Sequence, residues 1–150
     1  MGPSYAIMQE RFHQPLKDIA DRYGLWEVYA FGSRAREIAG RLQGGEPISG
    51  VPQSDVDMAV RTRPDKQLDP WERVRLTLDL EDLLGVPRVD LVILNEAEPF
   101  LALEIIRGEL LYAQDPDHQA RFELYVLRRA GDLLPFKRER IRMVMEEGAR

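Results

Sequence analysis

Within Ser54-Asp55-Val56-Asp57-Met58-Ala59-Val60 two carboxylates alternate with apolar residues. Successive side chains of an extended strand point to opposite faces, so Val56, Met58 and Val60 line one face while Asp55, Asp57 and Ala59 line the other. Asp55 and Asp57 then stand roughly 7 Å apart along the strand. At an effective dielectric near 20 their repulsion is about 2 kcal/mol. Neighbouring Val, Met and Ala side chains do nothing to offset it, whereas a hard divalent cation with oxygen ligands removes it. The strand at 55–61 is therefore expected either to hold a metal or to expose both acids on a solvated edge.

Asp90 bears on that choice. Val89-Asp90-Leu91-Val92-Ile93-Leu94 reads as a core strand with one carboxylate out of place near its start. If this strand neighbours the one bearing Asp57, three acids meet on one patch, as two-metal phosphoryl chemistry requires.

Helical spacing of Phe12, Leu16, Ile19, Ala20 and Tyr23 predicts a helix over 10–23, stopped by Gly24. Leu25 to Phe31 reads as a strand, after which Gly32 breaks the pattern and Ser33 caps a short helix through Ala39. The Gly- and Pro-rich stretch 40–54 is expected to be a loop. Asp69-Pro70 opens a helix to about Leu84, ended by Gly85 and Pro87. A helix from Pro99 to Arg107, closed by Gly108, leads to a short strand at Glu109–Ala113. Two helical stretches, about 117–130 and 135–147, follow, interrupted at Gly131 and Pro135. The expected fold is α/β (α+β): a small mixed sheet flanked by helices, with a helical C-terminal tail.

The 150 residues fit a single domain, with a core at about 25–113 and a helical segment at about 117–148. Cysteine is absent, which excludes disulfides and thiolate metal sites. No apolar run approaches the roughly 20 residues that cross a bilayer, and no signal peptide is evident, so a cytoplasmic protein is expected. A net charge of −5 argues against broad, sequence-independent nucleic-acid binding.

Gly32-Ser33 lies between a strand and a helix, where backbone amides, the helix start and a serine hydroxyl can approach phosphate. Arg34, Arg36, Arg61 and Arg63 flank the proposed site, and about half of them are expected to reach phosphate. His13 and His118 are expected on helix surfaces and not as ligands, and Trp26 and Trp71 in or near the core. Met143, Met145, Ile141 and Val144 suit helix packing or a partner-facing patch, and Lys137, Arg138, Arg140 and Arg142 a solvated face.

The stretch Ala30-Phe31-Gly32-Ser33-Arg34-Ala35-Arg36, followed by Ser54-Asp55-Val56-Asp57, resembles the DNA polymerase β-like nucleotidyltransferases, most of all the MNT-domain minimal nucleotidyltransferases. Val89-Asp90-Leu91-Val92 is similar to their third carboxylate strand, and Ile105 to Tyr112 to their closing helix-to-strand segment. The resemblance implies that Gly32 and Ser33, with Arg34 and Arg36 beside them, contact the triphosphate of ATP. It implies that Asp55, Asp57 and Asp90 bind magnesium, with two ions expected, and that Asp90 also helps to deprotonate the acceptor hydroxyl. Members that accompany a HEPN ribonuclease toxin act as its antitoxin by transferring AMP to a toxin tyrosine, and Arg128 and Asp132 resemble that subgroup's C-terminal helix. A small-molecule acceptor such as an aminoglycoside, and a non-catalytic binding antitoxin, are the alternatives. Ser33 and Asp55 are further apart here than in the family's usual pattern, the extra residues falling in the Gly/Pro-rich loop.

Overall fold

The structure, a computed structural model, describes residues 14–42 and 55–148. Its centre is a four-stranded mixed sheet in the order β3-β2-β1-β4. The strands are β1 (Leu25–Phe31), β2 (Val56–Thr62), β3 (Val89–Ile93) and β4 (Glu109–Ala113). β1 pairs antiparallel with β2 and β4, and β2 pairs parallel with β3. A parallel pair needs a crossover. It is supplied by α3 (Pro70–Leu84).

The alternation read in β2 holds. Val56, Met58 and Val60 enter one core with Leu16, Ile19, Ala20 and Tyr23 of α1 (residues 14–23), Ile38 and Leu42 of α2 (Ala35–Leu42), and Leu76, Leu80 and Leu84 of α3. Ala59 faces a second core with Tyr29, Phe31, Ala102, Ile105 and Val126. That face is covered by α4 (Pro99–Ile106) and α5 (Pro116–Gly148). Leu76 and Leu80 are fully buried. Burying a side chain of that size contributes roughly 1.5–3 kcal/mol.

The caps follow from residue type. Asp69 accepts the Glu72 N–H at 2.7 Å while its own N–H donates to Glu72 Oε1 at 3.2 Å, a reciprocal box that starts α3. Gly85 ends α3 at φ +65°, the left-handed conformation in which glycine carries no Cβ penalty. Gly24 similarly closes α1 at φ +69°.

Several expectations are corrected. Ser33 does not cap α2. The Gly32 carbonyl accepts the Ala35 N–H at 3.3 Å, and the helix runs from Ala35 to Leu42, three residues into the stretch expected to be loop. The remainder of that stretch, 43–54, lies outside the described residues, as does His13. The two expected C-terminal helices form one continuous helix with Pro135 inside it. Proline deletes a single backbone bond there, and the helix formers Leu133, Leu134, Lys137, Arg138 and Glu139 continue the helix on both sides. Trp71 is exposed, as are Phe136, Val144 and Met145 on the distal half of α5. None of the described helices is long and apolar enough to cross a membrane.

Candidate active site

The register of the sheet assembles the site. Asp57 lies opposite Phe31 on its β1 side and opposite Asp90 on its β3 side. Lateral neighbours in a parallel pair share a face, and strands lie about 4.8 Å apart, so Asp57 and Asp90 stand side by side. Asp55, two residues earlier, returns to the same face. The structure therefore brings Asp55, Asp57 and Asp90 to one patch, where β1 ends just before Gly32 and β2 and β3 begin.

Gly32 is part of this patch for a reason that residue type alone does not give. Its φ is +77°, and a Cβ built on it would stand 2.6 Å from Asp57 Oδ2. The carboxylate occupies the space that any side chain at position 32 would need. Gly108 supports the same corner from behind. Its Cβ would meet the Ala30 carbonyl oxygen at 2.3 Å and Phe31 Cα at 3.0 Å. Gly108 serves close approach of the α4–β4 turn to the end of β1, not the left-handed helix ending of Gly85, since its φ is not positive.

Burial, then the charges of Asp90, Asp55 and Glu104, push the Asp57 carboxyl above its ordinary value. Among the described residues neither the Asp57 nor the Asp90 carboxylate has a hydrogen-bond or ion-pair partner. Asp55 does: its Oδ2 lies 3.6 Å from Nε of Arg88. Arg88 and Glu104 were not singled out in the sequence. Arg88 could have been found once β2 and β3 are aligned on Val56 and Val89, because that register sets residue 88 beside residue 55. Glu104 belongs to the last turn of α4, and only the packing of that helix brings its charge to Asp57.

The donor set consists of hard oxygens with an uncompensated negative charge at its centre, which fits a divalent cation such as magnesium. As the side chains stand, no group of three acids or histidines among the described residues is placed to hold one ion. One of the three acids, Asp55, faces the Arg88 guanidinium in this arrangement.

Ser33 and Arg36, just beyond Gly32, are exposed. Arg34 is buried and folds back on Glu37, donating from Nε at 2.7 Å and from Nη2 at 3.2 Å. The Arg34 hydrogen bond holds the Glu37 carboxyl below the usual carboxylate range. Arg61 lies four residues along β2 from Asp57, about 13 Å away. It pairs with buried Glu27, at 3.0 Å from Nη2, and is flanked by the rings of Trp26 and Phe122. Arg61 is thus a structural cation at the far end of the strand. Arg63 lies beyond it and faces Asp65 at 3.7 Å. His118, on α5, packs its ring edge-on against Trp26 and meets Arg61 Nη2 at 3.2 Å.

Comparison with known proteins bears on the family and the fold. The family described as Polymerase beta, Nucleotidyltransferase matches residues 14–117. No curated protein matches the chain. Among solved structures, the chain is similar to a toxin–antitoxin crystallised with AMP-PNP, at 21% identity over 89% of this chain and 98% of that one, with a TM-score of 0.65. It is similar to a complex of tri-AMPylated Shewanella oneidensis HEPN toxin with MNT antitoxin, at 21% identity, 94% and 98% coverage and a TM-score of 0.61. A toxin–antitoxin MntA-HepT structure gives 21% identity, 93% and 98% coverage and a TM-score of 0.61. At these identities the likeness is one of fold.

Proposed function

We propose that this chain, which belongs to the polymerase beta nucleotidyltransferase family, transfers AMP from ATP to a tyrosine hydroxyl of a partner HEPN ribonuclease and so acts as its antitoxin. The observation that carries the reading is the lateral pair Asp57–Asp90, with Asp55 on the same face and the Gly32 backbone packed against the Asp57 carboxylate. Three acids gathered where a strand ends in Gly-Ser serve no packing purpose. They suit a site that receives a triphosphate and its cation. The toxin–antitoxin structures that share the fold, one of them with an AMPylated HEPN toxin, support a protein acceptor of that kind.

The chain's own residues have separate tasks in this reading. Asp55 and Asp57, with Asp90, would hold a divalent cation, which would supply neutralisation of phosphate charge. The Gly32-Ser33 turn approaches the triphosphate closely, with the Ser33 hydroxyl as donor and exposed Arg36 as a nearby cation. Asp90, exposed at the edge of the pair, accepts the proton of the acceptor hydroxyl. The acceptor oxygen forms a bond to the α-phosphorus as the α–β bridging P–O bond breaks, so AMP stays on the partner and pyrophosphate leaves.

The test is the fate of label. With ATP, magnesium and a cognate HEPN ribonuclease, label from the α-phosphate should enter the partner and label from the γ-phosphate should not. Entry of γ-label would mean phosphorylation and would contradict the proposal.

A further inference from the structure

Asp55, Asp57, Arg88 and Asp90 form a two-by-two array on one face of the sheet. Asp57 is paired laterally with Asp90, and Asp55 lies beside Arg88 one step before the paired Val56 and Val89. Three corners are negative and one is positive. The positive corner is largely exposed, with 72% of the Arg88 side chain accessible, so its guanidinium can move without breaking a core. Its backbone is fixed independently, since the Arg88 carbonyl accepts the Val56 N–H at 3.1 Å.

We propose that Arg88 is a positioning residue that holds Asp55 out of the metal-binding set until a triphosphate draws the guanidinium away. A carboxylate facing a guanidinium and a carboxylate facing a divalent cation use the same oxygens, so the two cations compete for Asp55. Phosphate oxygens match a guanidinium at least as well as a carboxylate does. Arrival of a triphosphate at Gly32-Ser33 therefore gives Arg88 another anion and releases Asp55 to the cation. Divalent metal alone binds weakly to such a site, and Arg88 adds to nucleotide affinity once metal is present. This inference rests on the nucleotidyltransferase reading of the site.

Binding of manganese alone, followed by electron paramagnetic resonance of the free ion, tests the first half on the intact chain. An exposed ion pair shifts affinities by up to about fivefold, so Arg88→Gln should tighten manganese binding by about threefold. Arg88→Lys, which keeps the charge, should stay within error of the wild type. Calorimetry with AMP-PNP at saturating magnesium tests the second half, and Arg88→Gln should weaken that binding by a similar factor. Unchanged or weaker manganese binding in Arg88→Gln overturns the proposal, as does AMP-PNP affinity equal to that of the wild type. Asp57→Asn in the same manganese titration separates the two levels of failure. If it loses the metal while Arg88→Gln changes nothing, only the role of Arg88 fails. If Asp57→Asn binds manganese as the wild type does, the metal site itself is misassigned and the proposal falls with it.

Discussion

The carboxylate of Asp57 fills the space where a side chain on Gly32 would begin, with Oδ2 2.6 Å from the position of that missing Cβ. Gly32 directly follows Phe31, the last residue of β1, which is paired with Asp57 of β2. Glycine is required here twice, for the positive φ of 77° and for the acid beside it.

Gly32→Ala should therefore damage the site more than the fold. The left-handed backbone of a non-glycine residue costs about 1–2 kcal/mol, and the displaced Asp57 carboxylate takes the metal set with it. Ser33→Ala, which deletes one hydrogen bond, should cost only about 1 kcal/mol of nucleotide affinity. Calorimetric titration with AMP-PNP should rank Gly32→Ala as the weaker binder of the two. Equal affinities for Gly32→Ala and the wild type would show that phosphate binds elsewhere.

Asp57→Asn should leave stability unchanged or slightly raised, by up to about 1 kcal/mol, because it removes a repelled, half-buried charge without opening a cavity. Nucleotide transfer should be lost in the same protein. Urea denaturation and a transfer assay on one preparation check both halves. Undiminished transfer would sink the catalytic assignment, and it would do so most clearly in the Asp55→Asn, Asp57→Asn double variant.

The strands and the acid-bearing face were legible in the sequence because alternation and burial agree there. Val56, Met58 and Val60 had to go inward, so Asp55 and Asp57 had to point the other way, whereas the place of Asp90 depended on the pairing of β3 with β2, which only the structure supplies. Trp71 was misread because apolar character says nothing about azimuth. It precedes Leu76 by five residues, a rotation roughly 140° off the buried stripe of Leu76, Leu80 and Leu84. The Arg88–Asp55 contact was hidden for a different reason: it joins residues 33 positions apart and exists only through the parallel pairing of β2 with β3. Arg61 is one of four flanking arginines of which about half are expected to reach phosphate, and Glu27 opposite it on β1 claims its charge instead.

That buried pair yields a stability prediction. Glu27 is 1% exposed and Arg61 8%, so Glu27→Ala leaves a buried guanidinium without its counter-ion. The cost should be about 3–5 kcal/mol, whereas replacing both residues with apolar ones of similar volume should cost much less. Chemical denaturation of the single and double variants checks the ordering. A Glu27→Ala protein within about 1 kcal/mol of the wild type would contradict the assignment of Arg61 as a structural cation.

Glu37 gives a pH dependence of known sign. Arg34 lowers its folded pKa below the ordinary 4.5, so the folded chain binds fewer protons than the unfolded chain in that range. The stability it confers is complete above the unfolded value and is lost as pH falls through the folded one. The stability difference between the wild type and Glu37→Gln should therefore shrink between about pH 5 and about pH 3. A difference that stays constant over that range would mean that the Arg34–Glu37 contact adds nothing in solution.

The central claim is that this chain modifies its partner covalently and does not merely cover it. Intact-mass spectrometry of the HEPN protein after incubation with this chain, ATP and magnesium tests it most directly. The account predicts one or more added AMP units on a tyrosine of the partner, loss of its ribonuclease activity in step with that addition, and neither effect with Asp90→Asn. A partner whose mass never changes while its ribonuclease activity is still blocked would contradict it, and inhibition would then be by binding alone.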